Sequence, residues 1–476
     1  MNASAADPDG VPLCLDIAGT LTPANIRIER AIRAFKEHPP LPGWLFRRWR
    51  ARRTAAAHAA GSDSAAASSL PFNAELLSWL RQQHSAGQRL VLLADGDPQL
   101  AEQIAAHLGV FDEIASTDGA GSASERKRRA LVERFGEHGF DYAGSDASDM
   151  IVWEASRAAL VVGDRRLSDR VALKTRVLRV FPAARPTLRT WIKAIRLHQW
   201  VKNALVFLPA LLAHEISNPA VLLQAALAFI AFGCCASSVY LTNDLFDLVA
   251  DRQHPRKRRR PFAAGLLSVR AGIYVSAGLF LCAAVIAAAV GGLFVLVLAS
   301  YYIITWAYSL RLKRIALLDV MTLAGLYTLR IIAGCAATHI EPSFWLLALS
   351  VFLFLSLGFV KRYAEVDDAR KAGKLVGHSR GYGADDLPLI LSLGTTAGYS
   401  AIVVVALYIN SPESIALYHH KKTLWMICPL MLFWISRVWM LTARGHMHDD
   451  PVVFALRDRV SLVVLAALGL IVLLAI

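Results

Sequence analysis

Apolar runs long enough to cross a lipid bilayer dominate the second half of this chain. They recur from about residue 190 onward, whereas residues 1–180 are mixed and charged. Because a transmembrane helix needs about 20 mostly apolar residues, the runs predict an all-α polytopic membrane domain of about nine transmembrane helices over residues 199–476. The predicted spans are 199–214, 220–241, 271–290, 293–309, 316–336, 344–361, 387–409, 424–441 and 459–476. An interfacial linker at 181–198 joins this domain to the N-terminal domain.

Composition agrees with two domains, one of them in a membrane. The chain has 476 residues, is 55% hydrophobic and has a mean hydropathy of +0.42, which is too apolar for an ordinary soluble protein. A net charge of +14 can indicate nucleic-acid binding, but in a membrane protein the basic residues usually lie in cytoplasmic loops. We therefore expect no nucleic-acid partner. The six cysteines show no metal-ligand spacing and are expected to be packed thiols.

The distribution of Lys and Arg predicts the orientation of the membrane domain. Loops on one side, with the adjoining span edges, carry about 20 of these residues, whereas the opposite loops carry only Lys421 and Lys422. Lys and Arg accumulate on the cytoplasmic side of membrane proteins. We expect the charged loops and the N-terminal domain in the cytoplasm of a bacterial-type inner membrane, with the C-terminus on the opposite side.

One segment, TNDLFDLVADRQHPRKRRRPFAAG at 242–265, brings acids and bases together at the end of an apolar run. If the helix continues into it, Asp244, Asp247 and Asp251 share one face, with Asn243 beside them. These oxygen ligands suit Mg²⁺, which takes one or two carboxylates plus substrate phosphate oxygens, and the arginines that follow can fork onto phosphate. The segment therefore predicts a site for a magnesium-bridged diphosphate. The alternatives are a polar loop of paired charges or a lipid-headgroup patch.

This segment resembles the first signature of the UbiA-type intramembrane prenyltransferase superfamily, NDxxDxxxD followed by a basic stretch and RP..G. More narrowly it resembles the branch that contains decaprenyl-phosphate phosphoribosyltransferases, and the resemblance covers residues 190–476. It implies that the carboxylates are catalytic and hold a diphosphate through Mg²⁺, while nearby bases neutralise the departing charge. The implied metal ligands are Asn243, Asp244, Asp247 and Asp251, and the implied phosphate-binding bases are Lys202, Arg256, Lys257 and Arg260. For Lys202, a lysine that merely reaches the membrane interface is the alternative.

Span six ends in GFVKRYAEVDDARKAGK, at the place where aromatic prenyltransferases of this superfamily carry a second, DxxxD-like signature. The KRYAE sequence is what the resemblance implies for the phosphoribosyl branch. Glu365 would supply a catalytic carboxylate that faces the first signature, and Lys361 and Arg362 would bind a second phosphate. The extra acids Asp367 and Asp368 leave the aromatic alternative open.

Other polar residues fall on the expected cytoplasmic face or inside a span. Tyr308 and Lys313 bracket the loop between spans four and five and are candidates for substrate binding. Asp319 is either a partner for a base or a charge at a helix N-terminus. Arg330 lies inside span five without a local partner, which predicts pairing across helices. The segment 444–459 resembles the tail of the superfamily.

The N-terminal domain alternates short apolar runs with helical stretches. This pattern predicts an α/β domain with a Rossmann-type parallel sheet, and ligands of such sheets bind at the carboxyl ends of strands. The predicted strands are 11–16, 88–95, 140–144 and 159–164, and the predicted helices include 72–84 and 99–108. Asp16, Asp95 and Asp146 follow three of the strands. The segment PGWLFRRWRARR at 42–53 is either a bilayer-docking segment or a solvated helix.

LDIAGTLT at 15–22 resembles the first motif of haloacid dehalogenase-like hydrolases, DxDGT, and GSDASD at 144–149 resembles their acidic fourth motif. In that family the first Asp is a phosphorylated nucleophile and the second protonates the leaving group. Here Ala18 replaces the second Asp, Asp95 stands near the expected Ser or Thr, and the segment GAGSASER lacks the expected phosphate-binding lysine. We expect a degenerate phosphatase site at Asp16 and Asp146 that has little or no phosphatase activity and at most binds phosphate or acts as a scaffold.

The motifs favour a Mg²⁺-dependent membrane transferase that acts on a polyprenyl substrate. The leading hypothesis is transfer of phosphoribose from phosphoribosyl diphosphate to a polyprenyl phosphate of the decaprenyl type. In the alternative, a polyprenyl diphosphate prenylates an aromatic acceptor such as 4-hydroxybenzoate. A lipid-binding or transport protein is the hypothesis from another class, and oligomerisation is compatible with all three.

Overall fold

The computed structural model describes residues 10–37, 67–183, 186–371, 381–447 and 450–475. The segment 42–53, for which the sequence leaves two interpretations, lies outside these residues. The chain divides into two compact units. The first unit comprises Met1–Ile195 and Leu241–Val275, and the second comprises Arg196–Tyr240 and Ser276–Ile476. The segment that carries NDLFDLVAD therefore groups with the N-terminal domain.

A parallel sheet forms the centre of the N-terminal domain, as the sequence predicts. In the described chain its six strands have the order β3-β2-β1-β4-β5-β6, and every neighbouring pair is parallel. The strands are β1 (Leu13–Leu15), β2 (Leu90–Ala94), β3 (Glu113–Ser116), β4 (Asp141–Gly144), β5 (Ala158–Gly163) and β6 (Arg176–Pro182). The four predicted strands correspond to β1, β2, β4 and β5. The other two are partly exposed at the sheet edges and lack a continuous buried apolar run.

Helices cover both faces of this sheet because strand residues alternate between two cores. Leu13 and Leu15 pack on one side with residues of the second and third helices, and Cys14 packs on the other side with the fourth, fifth and sixth. Side-chain caps start several of the helices: Asn73 and Asp97 each accept a hydrogen bond from a first-turn amide. The helices are α1 (Ile26–Glu37), α2 (Ala74–Ser85), α3 (Pro98–Leu108), α4 (Ala123–Phe135), α5 (Met150–Ala155) and α6 (Arg165–Ala172).

The rest of the described chain is helical, and 7 of its helices are long and apolar enough to cross a membrane. These are Pro219–Phe246, Val269–Val290, Gly292–Leu310, Leu318–Thr338, Phe344–Lys371, Ala384–Ile409 and Lys422–Ala443. The helices after residue 186 are α7 (Leu188–Ala194), α8 (Leu208–Leu212), α9 (Pro219–Phe246), α10 (Leu248–Gln253), α11 (Val269–Val290), α12 (Gly292–Leu310), α13 (Leu318–Thr338), α14 (Phe344–Lys371), α15 (Leu387–Ile409), α16 (Pro412–Leu417), α17 (Lys421–Leu424), α18 (Ile427–Ala443), α19 (Pro451–Ala455) and α20 (Arg459–Ala475).

The predicted count of nine spans is approximate. Eight of the predicted stretches correspond to α-helices, of which α18 and α20 are the shortest at 17 residues each. The stretch 199–214 differs, since a 3₁₀-helix covers Leu197–Phe207 and only the short α8 follows. Pro209 lies in the first turn of α8, where a missing N–H is tolerated. The same proline cannot donate the hydrogen bond that one continuous α-helix through the stretch would need.

Small residues allow close helix packing in the second unit. Gly394 on α15 lies against Trp439 of α18 and Phe359 of α14, and a Cβ at this position would come within 2.1 Å of the Trp439 ring. Ser356 links the same helices, because its hydroxyl donates to the Gly394 carbonyl oxygen at 2.7 Å and accepts from the Trp439 indole N–H at 3.1 Å. Glycine and serine at such positions let membrane helices approach closely.

Replacing Gly394 by Ala should therefore destabilise the helix bundle by about 1–3 kcal/mol, because the added methyl group forces the Trp439 ring to move. Equilibrium unfolding in mixed detergent micelles measures this change. Gly278→Ala on α11 is the matched control, since a Cβ there meets no described atom within 4 Å. It should instead stabilise by about 0.5–1 kcal/mol through lower backbone entropy. Equal behaviour of the two variants would contradict the packing argument.

Candidate active site

The first-signature segment keeps helical spacing with one interruption. α9 ends at Phe246, Asp247 stands between the helices, and α10 begins at Leu248. The amide of Asp247 donates to the carbonyl oxygen of Asn243 at 3.0 Å, and the amide of Asp251 donates to that of Asp247 at 2.7 Å. Helical hydrogen bonds thus flank the interruption on both sides, so the three carboxylates follow one another along nearly the same helical path.

Arg260 joins two of these carboxylates. Its Nη1 lies 3.0 Å from Asp244 Oδ1 and 2.7 Å from Asp251 Oδ2. Both aspartates are buried, whereas Asn243 and Asp247 are half-buried. Two carboxylates taken out of water need a cation close by, and in this structure the guanidinium supplies it.

The carboxylates suit the predicted Mg²⁺ because of their chemical type and because two of them converge on one point. They are hard oxygen donors, and two of them already point at one cationic nitrogen. Across the described residue ranges no group of three or more His, Cys, Asp or Glu side chains is arranged as a metal site. A Mg²⁺ ion held by these aspartates would take its remaining ligands from water and from substrate phosphates.

The basic run divides into two parts. Arg256 and Lys257 are exposed, at the start of a 3₁₀-turn that spans Lys257–Arg259. Arg260, in contrast, is half-buried and pairs with the aspartates. The structure thus brings Asp244, Asp251 and Arg260 together, and leaves Arg256 and Lys257 accessible to a soluble anion.

A second charged cluster lies in the other unit, around Asp450. Lys202 Nζ is 2.6 Å and Lys361 Nζ is 3.4 Å from the same carboxylate oxygen, and the Tyr327 hydroxyl donates to the other oxygen at 3.4 Å. Burial alone would raise the pKa of the Asp450 carboxyl, but the two lysines lower it to about 2. Two lysines therefore share one ionised carboxylate, which leaves excess positive charge for an anion.

Sequence reasoning did not identify Asp450 as a site residue. It lies 248 residues from Lys202 and 89 from Lys361, so no local spacing connects it to either lysine. The sequence signal for this region was the resemblance of segment 444–459 to the tail of the superfamily. That resemblance assigns no role to Asp450.

Arg330 confirms the prediction of pairing across helices. Its guanidinium donates to Asn203 Oδ1 and to the Tyr301 hydroxyl, each at 3.0 Å. The rings of Tyr301 and Tyr327 lie 4.9 and 5.4 Å from its central carbon. Amide, hydroxyl and aromatic partners thus stabilise a buried positive charge.

Arg362 is buried in an ion-pair network of its own. Its Nη2 is 2.6 Å from Asp319 Oδ2, and its Nη1 pairs with Glu365. The Tyr382 hydroxyl donates to the other Asp319 oxygen at 2.7 Å. Of the two roles expected for Asp319, the structure shows the first, because Asp319 pairs with the base Arg362. The Arg362 side chain is 1% exposed and holds Glu365 and the start of α13. Its role in substrate binding stays a prediction.

The remaining predicted binding residues lie close together in sequence. Tyr308 is near the end of α12, and Lys313 is in the 3₁₀-turn Leu312–Arg314. Both side chains are half-buried. Their roles in substrate binding stay predictions.

The N-terminal domain contains a third charged cluster, which corrects one sequence expectation. Lys127 Nζ is 2.6 Å from Asp16 Oδ2 and 3.6 Å from Asp149 Oδ1, and all three residues are buried. The expectation that this site lacks a lysine is wrong, because Lys127 lies one residue beyond the segment GAGSASER, in the second turn of α4. Asp146 is exposed and caps a 3₁₀-turn through the Ser148 amide.

Asp95, which follows β2, is paired with a base. An unpaired carboxylate near the end of β2 would repel phosphate, but Arg126 Nη2 lies 2.7 Å from Asp95 Oδ1 and compensates its charge. Burial raises the pKa of the Asp16 carboxyl to about 6, with Lys127 opposing the rise and Asp149 adding to it. The site therefore changes its charge near neutral pH.

This pKa predicts how acidity affects stability. The folded-state pKa of Asp16 lies above its unfolded value of about 4, so ionisation of Asp16 destabilises the fold as pH rises from about 4 through 6. The variant Asp16→Asn cannot ionise, and its thermal stability relative to wild type should be higher at pH 7 than at pH 5. Differential scanning fluorimetry across this range tests the difference. Asp169→Asn, at an exposed position, should show none, and a flat difference for Asp16→Asn would contradict the argument.

The comparisons with known proteins place the chain in a family. The model of the UbiA prenyltransferase family matches residues 204–474. The Sinorhizobium fredii protein y4nM is 36% identical over 467 residues, which cover 95% of this chain and 88% of that protein. A decaprenyl-phosphate phosphoribosyltransferase of Mycolicibacterium smegmatis is 31% identical over 56% of this chain and 86% of its own length.

A solved structure is similar as well. The UbiA homolog from Archaeoglobus fulgidus bound to GPP and Mg²⁺ aligns with 60% of this chain and 99% of its own, at 18% identity and a TM-score of 0.46. Because the family model covers more than half of the chain, this chain belongs to the UbiA prenyltransferase family and, with its apolar helices, is an integral membrane protein.

Proposed function

We propose that this chain transfers phosphoribose from phosphoribosyl diphosphate to a polyprenyl phosphate. The observation that carries the proposal is the pair of buried carboxylates, Asp244 and Asp251, that converge on Arg260 in a polar segment following a membrane helix. The 31% identity with a decaprenyl-phosphate phosphoribosyltransferase supports the choice of substrates. The cytoplasmic orientation of the charged loops stays a prediction from their Lys and Arg content.

The first cluster, which consists of Asp244, Asp251 and Arg260, is proposed to hold the donor diphosphate. Asn243, Asp244, Asp247 and Asp251 would bind Mg²⁺, which supplies charge neutralisation for the leaving diphosphate when bound. Arg256 and Lys257 are exposed and can meet the incoming anion. Arg260 keeps the aspartates close together in the absence of donor.

The second cluster is proposed to bind the acceptor phosphate. Lys202 and Lys361 provide two cations against the single carboxylate of Asp450, and a lipid phosphate matches that excess charge. In the transfer, an oxygen of the lipid phosphate forms a bond to the anomeric carbon of ribose. The bond from that carbon to diphosphate breaks, and diphosphate leaves with the electron pair. Glu365, held by Arg362, is the remaining candidate catalytic carboxylate.

For the N-terminal domain we propose phosphate binding with little or no phosphatase activity. Lys127 beside Asp16 and Asp149 supports binding of an anion near the carboxyl end of β1. Ala18 offers no acid to protonate a leaving group. The domain's resemblance to haloacid dehalogenase-like hydrolases stays a prediction.

Asp244→Asn should lower transfer about 100-fold or more, because fixed charge that stabilises a departing group is worth that much in rate. Membranes that contain the variant or the wild type are incubated with Mg²⁺, labelled phosphoribosyl diphosphate and polyprenyl phosphate, and lipid-linked label is counted. Glu215→Gln, which changes an exposed acid in a loop, is the control and should keep wild-type activity.

The same assay contains the contradicting outcomes. Wild-type membranes that give no lipid-linked label, but prenylate 4-hydroxybenzoate from polyprenyl diphosphate, would replace the proposed substrates with the aromatic alternative. Normal product formation by Asp244→Asn would remove the diphosphate role of the first cluster, and wild-type membranes that form neither product would favour a lipid-binding or transport function.

Lys361→Gln should raise the KM for polyprenyl phosphate about 10- to 100-fold, because hydrogen bonds to a charged group contribute about 1.5–3 kcal/mol. The KM for phosphoribosyl diphosphate should change little. Lys371→Gln on the same helix is the control, since this exposed lysine pairs with Asp367. If Lys361→Gln raised the KM of the donor alone, the assignment of the second cluster to the acceptor would be wrong.

A further inference from the structure

An ion pair joins the N-terminal α/β domain to the first-signature segment, within one compact unit. Arg252 donates from Nη1 to Glu29 Oε2 and from Nη2 to Glu29 Oε1, both at 2.8 Å. The two side chains are 4% and 12% exposed, and the residues are 223 positions apart. Paired hydrogen bonds between a guanidinium and a carboxylate fix both distance and orientation. The contact is therefore specific in geometry as well as in charge.

Arg252 occupies a sensitive place in the segment. It directly follows Asp251, whose carboxylate pairs with Arg260. Its Nε also donates to the carbonyl oxygen of Ala263 at 3.4 Å, across the loop that carries the basic run. One side chain thus ties α1, the end of α10 and the basic loop together.

Apolar contacts reinforce this junction. Gly265 has a positive φ of 70°, and a Cβ there would lie 2.5 Å from Pro23 Cγ and 3.2 Å from Pro71 Cγ. Trp191 of α7 packs edge-to-face on Phe262, with ring centroids 6.5 Å apart. Three N-terminal elements, which are the loop before α1, the segment before α2, and α7, therefore contact residues 262–265 at the end of the first-signature segment.

We propose that Glu29 is a positioning residue for the first signature, so that the N-terminal domain sets the geometry of Asp251 and its neighbours through Arg252. The inference rests on the proposed function for its kinetic consequence. Glu29 precedes residue 204, where the family match begins, so this role is additional to the family's own transferase domain. Replacing Glu29 would leave the Arg252 guanidinium buried without its carboxylate, a state that favours movement of the segment.

The test compares full-length Glu29→Gln with wild type in two measurements. In the transfer assay, the Mg²⁺ concentration for half-maximal rate should rise about 10-fold, while the KM for polyprenyl phosphate stays within about twofold. In hydrogen–deuterium exchange, amides of residues 247–253 should exchange about 10-fold faster, while those of β1 and β4 stay unchanged. Arg252→Lys, which keeps the charge but loses the fork, should fall between wild type and Glu29→Gln.

Glu75→Gln is the matched control, since Glu75 pairs with Arg179 at an exposed position of the same domain. It should resemble wild type in both measurements. Unchanged exchange over residues 247–253 in Glu29→Gln would overturn the inference, and so would faster exchange throughout the domain, which indicates general destabilisation. Wild-type protein that transfers no phosphoribose would refute the proposed function alone, because the exchange measurement does not depend on activity.

Discussion

Charge compensation in apolar surroundings is the constraint on which the candidate site depends. Removing an ion from water costs several kcal/mol unless partners of opposite charge or strong dipoles replace the water. The structure meets this requirement with small closed sets: two aspartates on Arg260, two lysines on Asp450, and Arg362 on Asp319 and Glu365. Each set fixes its side chains before any ligand is present. The positions of the charged groups are thus determined largely by one another.

The network around Arg362 differs from the sets at Asp450 and Arg260 in its exposure to solvent. Asp319, Tyr382 and Arg362 form a network in which the two charged side chains are at most 1% exposed, as expected of groups that hold helices in place. The set at Asp450 has two lysines for one carboxylate, and Lys361 and Arg260 are 32% and 30% exposed. Excess charge and partial exposure are properties that an anion or a metal ion can use. This contrast supports the ligand-binding roles proposed for the sets at Asp450 and Arg260.

Local sequence patterns predicted the helices and the first signature. They did not predict contacts between residues that are distant in sequence. Apolar runs of spanning length and the spacing of Asp244, Asp247 and Asp251 are local patterns, so both were predictable. Asp450 and the partners of Arg330 come from other helices or loops and leave no periodic signal. Lys127 was missed because the expected lysine was sought one residue too early, before the turn of α4 that presents it to Asp16. The 3₁₀-helix at Leu197–Phe207 was missed because apolar composition does not distinguish it from an α-helix.

The single carboxylate shared by Lys202 and Lys361 has a consequence for ligand exchange. An anion that reaches these lysines meets a carboxylate that already pairs with them. Binding therefore replaces one ion pair with another and adds less binding free energy than two free ammonium groups would. Asp450 therefore competes with an incoming anion for the two lysines. In the proposed transfer, Asp450 would lower the affinity of the two lysines for phosphate and, by pairing with them again, would speed release of the product.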